Sequence, residues 1–207
     1  MAAKCPECRL LQEYCVCSLL PRVKTRTSWI VLRHKSEKKK VSNTGRLLLS
    51  MVEGARIVSH GEEGSPIGVA DVAGEGDRTA VLFPGPGSTP LAPDPDLPGL
   101  PRGGFRNLVL LDGSWVQARR MIRRIPGLCD LPRLSLPRNR PATWDVRMPP
   151  AEGYFCTLEA AIIALEVLGE IETASTLARI MDVVRRRLLF ARGRIPPGEL
   201  TPAEIKG

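Results

Sequence analysis

The chain has 207 residues, of which 43% are hydrophobic and only 4% aromatic, and this favours one substantial domain with an aliphatic core and a small appendage. Its formal net charge of +8 favours an acidic polymer as partner, with basic patches at residues 38–40, 119–124 and 185–187. No stretch approaches the roughly 20 apolar residues that span a bilayer, and Cys5 precedes any signal-like run. We therefore expect a cytoplasmic protein with no membrane partner.

The first predicted element is a four-cysteine knuckle within residues 1–25. Four of the six cysteines occur there, in the spacing Cys5-x2-Cys8-x6-Cys15-x-Cys17. This spacing is too tight for a typical disulfide framework, whereas two close thiolate pairs can surround a tetrahedral zinc ion. A closed shell of four sulfurs leaves no open coordination position, so the pattern predicts structural zinc. Free or redox-active thiols are the alternative.

Short apolar runs alternate with helix-patterned stretches after the knuckle. Strands are predicted at residues 29–32, 57–58, 79–83, 108–111 and 134–136, and helices at 43–51, 115–125, 158–168 and 177–188. This alternation is typical of an α/β fold with a mainly parallel sheet and helices on both faces. We expect the main domain to span residues 26–195, followed by a tail at 196–207.

Three loops follow neighbouring predicted strands, and together they predict one pocket. They lie at residues 84–88, 112–115 and 137–157, where the carboxyl ends of parallel strands meet. Prolines are so dense between residues 84 and 106 that no regular element is expected there, and its middle, 90–101, reads as an exposed insertion. No phosphate-binding glycine pattern occurs and only two histidines are present, which argues against nucleotide hydrolysis and catalytic zinc.

The segment Asp112-Gly113-Ser114-Trp115 stands between a predicted strand and a predicted helix, so it presents one carboxylate at a strand's carboxyl end. Two interpretations fit this position. Asp112 or Ser114 can cap the helix by accepting hydrogen bonds from its first amides. Alternatively, Asp112 is a functional acid, framed by the arginines of the 119–124 patch.

Five segments, taken in order, resemble the DTW-domain family of tRNA-uridine aminocarboxypropyltransferases. Two departures from the family pattern are Ser114 in place of threonine and the lack of a proline after His34. The resemblance implies a fold of the SPOUT superfamily, with a trefoil knot at the carboxyl end. The matching segments are the cysteine knuckle, His34-x-x-Glu37, Ser42-Asn43-Thr44-Gly45-Arg46-Leu47, Leu111-Asp112-Gly113-Ser114-Trp115 with Ala118, Arg119 and Met121, and Gly153-Tyr154-Phe155-Cys156-Thr157-Leu158-Glu159-Ala160.

The resemblance also implies a reaction. S-adenosylmethionine is the expected co-substrate, and it donates its 3-amino-3-carboxypropyl group to N3 of a uridine in tRNA. The uracil nitrogen attacks the γ-carbon of the methionine moiety, and methylthioadenosine leaves. The reaction needs the uracil imide proton removed and the reacting atoms held nearly in line.

The resemblance and the predicted pocket together nominate site residues. Asp112, Asn43 and Arg46 are the expected catalytic residues, with Asp112 as a general base or an orienting group. A neighbouring sulfonium would lower the pKa of Asp112, which favours orientation over strong basicity. The expected donor-binding residues are Asp112 again with Pro84, Gly85, Leu111, Gly113, Ser114, Trp115, Leu136, Cys156, Thr157 and Glu159, and the expected tRNA-binding residues are His34, Glu37, Ser42, Thr44, Arg119 and Arg123.

Two other functions stay open at this point. A knotted methyltransferase would use the same donor but transfer its methyl group, and only the mass of the product separates the two reactions. A non-catalytic, zinc-containing RNA-binding module would need only the charge and the knuckle. The sequence does not select the tRNA position, and it favours a monomer without requiring one.

Overall fold

The computed structural model describes residues 3–73, 78–93, 104–137, 139–147, 153–196 and 199. Its strands are β1 (Ser28–His34), β2 (Arg56–His60), β3 (Thr79–Leu82), β4 (Thr89–Pro90), β5 (Asn107–Asp112) and β6 (Arg133–Ser135). Its α-helices are α1 (Thr44–Met51), α2 (Val69–Ala73), α3 (Trp115–Arg124), α4 (Thr157–Val167) and α5 (Ile171–Ala191). Single-turn 3-10 helices lie at Gln12–Tyr14, Cys17–Leu19, Lys35–Glu37 and Leu128–Asp130.

The strands of this part of the chain form one sheet in the order β2-β1-β5-β3-β6-β4, and every pairing is parallel. The register places Arg33 of β1 beside Asp112 of β5. The prediction of an α/β fold with a mainly parallel sheet is therefore confirmed. Five of the six strands occur at the predicted positions, and β1, β3 and β5 are short, mainly buried apolar runs.

The sheet is covered on both faces, as predicted, and each face has its own apolar core. Trp29, Val31 and Leu110 pack against α1, α4 and α5 on one face. Ile30 and Leu32 pack against α2 and α3 on the other. The helix after β1 thus lies on one face, and the helix after β5 lies on the opposite face. Open α/β sheets bind ligands at such a change of face, outside the carboxyl ends of the two strands.

Strand β4, helix α2 and the four 3-10 helices were not predicted from the sequence. The expectation that residues 84–106 hold no regular element is wrong at Thr89–Pro90, which pair with β6 at the edge of the sheet. An edge strand tolerates proline, since the missing N–H faces away from the ladder. Helix α2 is one short turn with no amphipathic period to reveal it. Residues 94–103, which include most of the predicted insertion at 90–101, lie outside the described residues.

The amino-terminal knuckle packs into the main core. Cys5, Cys8, Leu10 and Val16 are buried in the same apolar cluster as the residues of α1, α4 and α5. The division into knuckle, main domain and tail therefore stays a prediction, as does the carboxyl-terminal knot. Of the predicted tail at 196–207, only residues 196 and 199 are described.

The two helices at the carboxyl end, α4 and α5, belong to the same apolar core and are joined by three residues. Gly169 has a φ of 77°, a left-handed conformation that glycine adopts without strain, and it ends α4 as predicted. Among the residues that the structure describes, no helix has the length and apolar character needed to cross a membrane.

Candidate active site

Asp112 is the centre of the site. It ends β5 at the change of face described above, and its side chain is buried, with an exposure of 3%. The Asn43 Nδ2 amide donates a hydrogen bond to Asp112 Oδ2 at 2.6 Å, and the Thr157 hydroxyl donates to Oδ1 at 2.8 Å. Both carboxylate oxygens therefore have a neutral donor. Asp112 does not cap α3, so the capping interpretation applies to Ser114 alone.

Ser114 caps α3 in a reciprocal arrangement. Its hydroxyl accepts a hydrogen bond from the Gln117 backbone at 3.3 Å, and Gln117 Oε1 accepts one from the Ser114 backbone at 2.7 Å. Such a capping box satisfies two free amides at a helix start. Along α3, Trp115 and Arg119 line the cavity, and Arg120, Arg123 and Arg124 are exposed.

The ionisation of Asp112 in the protein alone is governed mainly by its burial. Burial raises the pKa of Asp112 above its usual range, and the hydrogen bonds from Asn43 and Thr157 oppose this effect without cancelling it. The nearby Glu37 charge raises the pKa further, and the Arg33 charge lowers it. The predicted lowering of this pKa by a sulfonium concerns the complex with the donor and stays a prediction. In the protein alone, the raised pKa makes the carboxylate a stronger base.

Asn43 links the start of α1 to the site. Its side-chain oxygen accepts a hydrogen bond from the Arg46 backbone, so it is the N-cap of α1, while its amide holds Asp112. A side chain fixed at both ends keeps the carboxylate in one orientation. Gly45 follows two residues later, and a Cβ atom built there would lie 2.9 Å from both Cγ and Oδ2 of Asp112. Only glycine leaves room for the carboxylate beside this helix.

A cavity of about 680 Å³ opens above Asp112, a size typical of small-molecule sites. Its walls come from the carboxyl end of β3, from the loops after β1, β5 and β6, and from the starts of α1, α3 and α4. Of the predicted site residues, it brings together Glu37, Ser42, Asn43, Thr44, Leu111, Asp112, Gly113, Ser114, Trp115, Arg119, Cys156, Thr157 and Glu159.

One wall of the cavity is aromatic. The Trp115 ring lies edge-on to Tyr154, with 4.2 Å between ring centroids, and 5.7 Å from the ring of Phe83. Rings placed this way offer a surface on which a nucleobase or adenine can stack. Tyr154 and Phe83 were not nominated from the sequence. Tyr154 lies in a segment that resembled the family, whereas nothing in the sequence distinguishes Phe83 from a core residue.

The charged wall of the cavity consists of Glu37, Lys40 and Arg147. The Glu37 side chain, 1% exposed, accepts hydrogen bonds from Lys40 at 2.5 Å and from Arg147 at 3.0 Å. Arg147 Nε also donates to the Ser42 hydroxyl at 2.8 Å. Burial alone would raise the pKa of Glu37, but the two cations lower it below its usual range. Glu37 and Ser42 therefore orient protein cations, and Arg147, in an irregular segment, was missed by sequence reasoning.

Glu159 connects α4 to the loop that covers the cavity. Its Oε1 accepts hydrogen bonds from the backbones of Thr143 and Trp144, at 2.5 and 2.8 Å, and from the Thr143 hydroxyl. Its Oε2 accepts one from the backbone of Cys156, whose sulfur in turn caps α4. Its contacts are thus to the protein, although it lines the cavity.

Six nominated residues do not line the cavity. Pro84 and Gly85 belong to the loop that leads to the edge strand β4, and Pro86 of this loop accepts a hydrogen bond from Arg133. Their role in donor binding stays a prediction. His34 is turned onto the 3-10 helix that follows it and bonds Ser36. Arg46 donates to backbone carbonyls of Cys8, Lys38 and Lys40. The set that lies outside the lining is His34, Arg46, Pro84, Gly85, Arg123 and Leu136.

The three predicted basic patches differ in exposure and in ion pairing. Arg119, Arg120, Arg123 and Arg124 are exposed on α3, and none of them makes an ion pair with a described residue. The expected patch at 185–187 is wrong. Arg185 pairs with acidic side chains, and Arg187, 1% exposed, donates to the backbone carbonyl of Cys15 at 2.6 Å. Lys38 and Lys40 of the first patch are also paired.

The four cysteines of the knuckle meet at one point. Their sulfur atoms all lie within 4.8 Å of one another, with Cys5 to Cys17 at 3.6 Å and Cys8 to Cys15 at 3.8 Å. A tetrahedron with Zn–S bonds of about 2.3 Å has edges of roughly 3.8 Å, so the sulfurs fit a zinc ion. A hydrogen bond from the Cys8 backbone lowers the pKa of Cys5 to about 7, against the effect of burial.

The fold and the site define a class of α/β protein with an open parallel sheet. In this class a buried carboxylate lies beneath a cavity where the helices change face, and a four-cysteine knuckle packs against the core. The DTW domain family matches residues 2–189, and the chain belongs to that family.

Curated relatives carry a more specific name. The chain is 28% identical over 187 residues to tRNA-uridine aminocarboxypropyltransferase 2 of Drosophila melanogaster, covering 85% of this chain and 71% of that protein. It is also 28% identical over 173 residues to tRNA-uridine aminocarboxypropyltransferase 2 of Mus musculus, covering 80% of this chain and 56% of the mouse protein. No solved structure gives a significant match.

Proposed function

We propose that this protein modifies tRNA by transferring the 3-amino-3-carboxypropyl group of S-adenosylmethionine to N3 of a uridine. The family and the names of the relatives support a transferase that acts on tRNA. The observation that carries the proposal is the cavity itself, which places a buried carboxylate of raised pKa beneath an aromatic wall.

The chemistry needs a base and a fixed geometry. The C–N bond forms between uracil N3 and the γ-carbon, the C–S bond breaks, and its electrons neutralise the sulfonium as methylthioadenosine leaves. Asp112 accepts the imide proton or a hydrogen bond from the imide, and Asn43 and Thr157 keep the carboxylate aimed into the cavity. Trp115 and Tyr154 supply the stacking surface.

The proposed donor site is the part of the cavity at the carboxyl end of β5. Leu111, Gly113, Ser114 and Trp115 form it on one side, and Cys156 and Thr157 at the start of α4 form the other. Arg119 at the rim of the cavity and the exposed arginines along α3 suit contact with RNA phosphates. Arg46 is a positioning residue, because its contacts join the knuckle to the loop before α1.

We also propose structural zinc at Cys5, Cys8, Cys15 and Cys17. The spacing of the sulfurs supports it, and so does the packing of the knuckle against the core. Such an ion would stabilise the fold and take no part in the transfer.

The test is to incubate the purified protein with unmodified tRNA and S-adenosylmethionine, digest the RNA and weigh its nucleosides. A uridine heavier by one aminocarboxypropyl group supports the proposal. A methyl increment would establish a methyltransferase instead, and no product on several tRNAs would favour a binding role. Asp112→Asn should abolish transfer without unfolding the protein. The control Asp130→Asn changes an exposed carboxylate and should leave transfer unchanged.

A further inference from the structure

The charged wall of the cavity contains an arginine that the proposed reaction has not yet used. Arg147 lines the same cavity as Asp112, and 39% of its side chain is exposed. Its guanidinium is fixed by two contacts, from Nε to Ser42 and from Nη1 to Glu37. No described residue accepts a hydrogen bond from its Nη2, so this group remains available to a ligand in the cavity.

The charges on this wall do not cancel. Two cations, Arg147 and Lys40, share the single carboxylate of Glu37, which is 1% exposed and receives a hydrogen bond from each. One positive charge is left over and faces the cavity. An oriented guanidinium with a spare donor edge binds a carboxylate or a phosphate through charge-assisted hydrogen bonds.

Resting on the proposed function, we infer that Arg147 binds the α-carboxylate of the methionine moiety of S-adenosylmethionine. That donor carries a positive sulfonium and a negative carboxylate, and the cavity offers a buried anion, Asp112, and a cationic wall. The carboxylate belongs to the group that is transferred. Arg147 thus orients the γ-carbon for attack, a requirement that a methyl transfer from the same donor does not have.

An RNA phosphate is the competing ligand for the same cation. The position of Arg147 favours the small donor, because its guanidinium lies within the cavity wall and is tied to a fully buried carboxylate. RNA phosphates have exposed cations to contact elsewhere, in the arginine row of α3.

The test compares binding of S-adenosylmethionine with binding of its decarboxylated analogue, S-adenosyl-3-methylthiopropylamine, by isothermal titration calorimetry on the full chain. The wild-type protein should bind the analogue about 10- to 100-fold more weakly, since a charge-assisted hydrogen bond is lost. Arg147→Gln should bind both ligands equally weakly, and Arg147→Lys should fall between. The matched control is Arg140→Gln, which removes a similarly exposed arginine of the same loop that pairs with Glu166.

The outcomes separate failure of the inference about Arg147 from failure of the proposed function. Equal binding of the two ligands by the wild-type protein would overturn the inference without any variant, so misfolding cannot obscure the result. The inference also fails if Arg147→Gln still binds S-adenosylmethionine more tightly than the decarboxylated analogue. It fails too if, in a titration with tRNA, the variant loses only affinity for tRNA and that affinity depends less on salt. Failure of the folded wild-type protein to bind S-adenosylmethionine would overturn the proposed function and this inference together.

Discussion

Gly45→Ala adds one methyl group to the helix beside the catalytic carboxylate. The new Cβ would lie 2.9 Å from Asp112 Cγ and Oδ2, and 3.0 Å from Val31 Cγ1. Because carbon atoms pack best at about 3.5 to 4.0 Å, the neighbours must move by roughly 0.6 to 1 Å. Val31 belongs to a buried strand, so the carboxylate has to yield.

The effects on stability and on activity should therefore separate. Alanine in place of glycine stabilises a helix by about 0.8 to 1 kcal/mol, whereas overpacking costs about 1 to 3 kcal/mol. The free energy of unfolding should fall by only about 0 to 2 kcal/mol. A displacement of about 1 Å at a reacting group can slow the reaction by about 100-fold, so we expect a folded protein with a large loss of transfer.

The assay pairs urea denaturation with the nucleoside mass measurement under single-turnover conditions. Gly68→Ala is the control, since a Cβ there would meet only the Pro126 carbonyl oxygen at 3.8 Å. Full transfer activity in Gly45→Ala, with unchanged stability, would refute the reasoning that the exact position of the Asp112 carboxylate matters.

Three further predictions concern charge and metal. Because the folded pKa of Asp112 is raised, its contribution to stability is present at low pH and is lost as pH rises through that value; Asp112→Asn should abolish this slope in urea melts. Cys15→Ser should lower both zinc content, measured by mass spectrometry of the metal, and melting temperature, while the exposed Cys129→Ser should change neither. Glu159→Gln should reduce the free energy of unfolding by about 1 to 3 kcal/mol, because a buried acceptor of backbone amides is weakened, against at most about 1 kcal/mol for the partly exposed Glu166→Gln.

Local signals predicted most of the fold. The apolar runs of β1, β3 and β5 are short and buried, so each strand is visible without knowledge of its neighbours. Ser114 was one of the two caps predicted for α3, and it caps that helix. Helix α2 and the two-residue strand β4 were not predicted, because neither is long enough to show a hydrophobic period.

The charged wall of the cavity could not be predicted from local sequence patterns, because its residues are far apart in the chain. Arg147 lies 110 positions from Glu37 and 105 from Ser42. The described residues 139–147 form no helix or strand. For Arg187, the local sequence pattern predicts the wrong environment. It belongs to a run of three arginines that indicates a solvated face, yet its guanidinium is buried against the carbonyls of the knuckle.

The sequence by itself determined the α/β class, the grouping of the cysteines, and the position of Asp112 at the end of a strand. These features depend on residues near one another in the chain, where hydrophobic period, capping and ligand spacing are expressed directly. The tertiary structure alone decided which loops share a cavity and which charges meet in it. The order of strands in a parallel sheet follows from long-range packing of the two cores, and that packing sets Asn43, Thr157 and Arg147 around the cavity of Asp112.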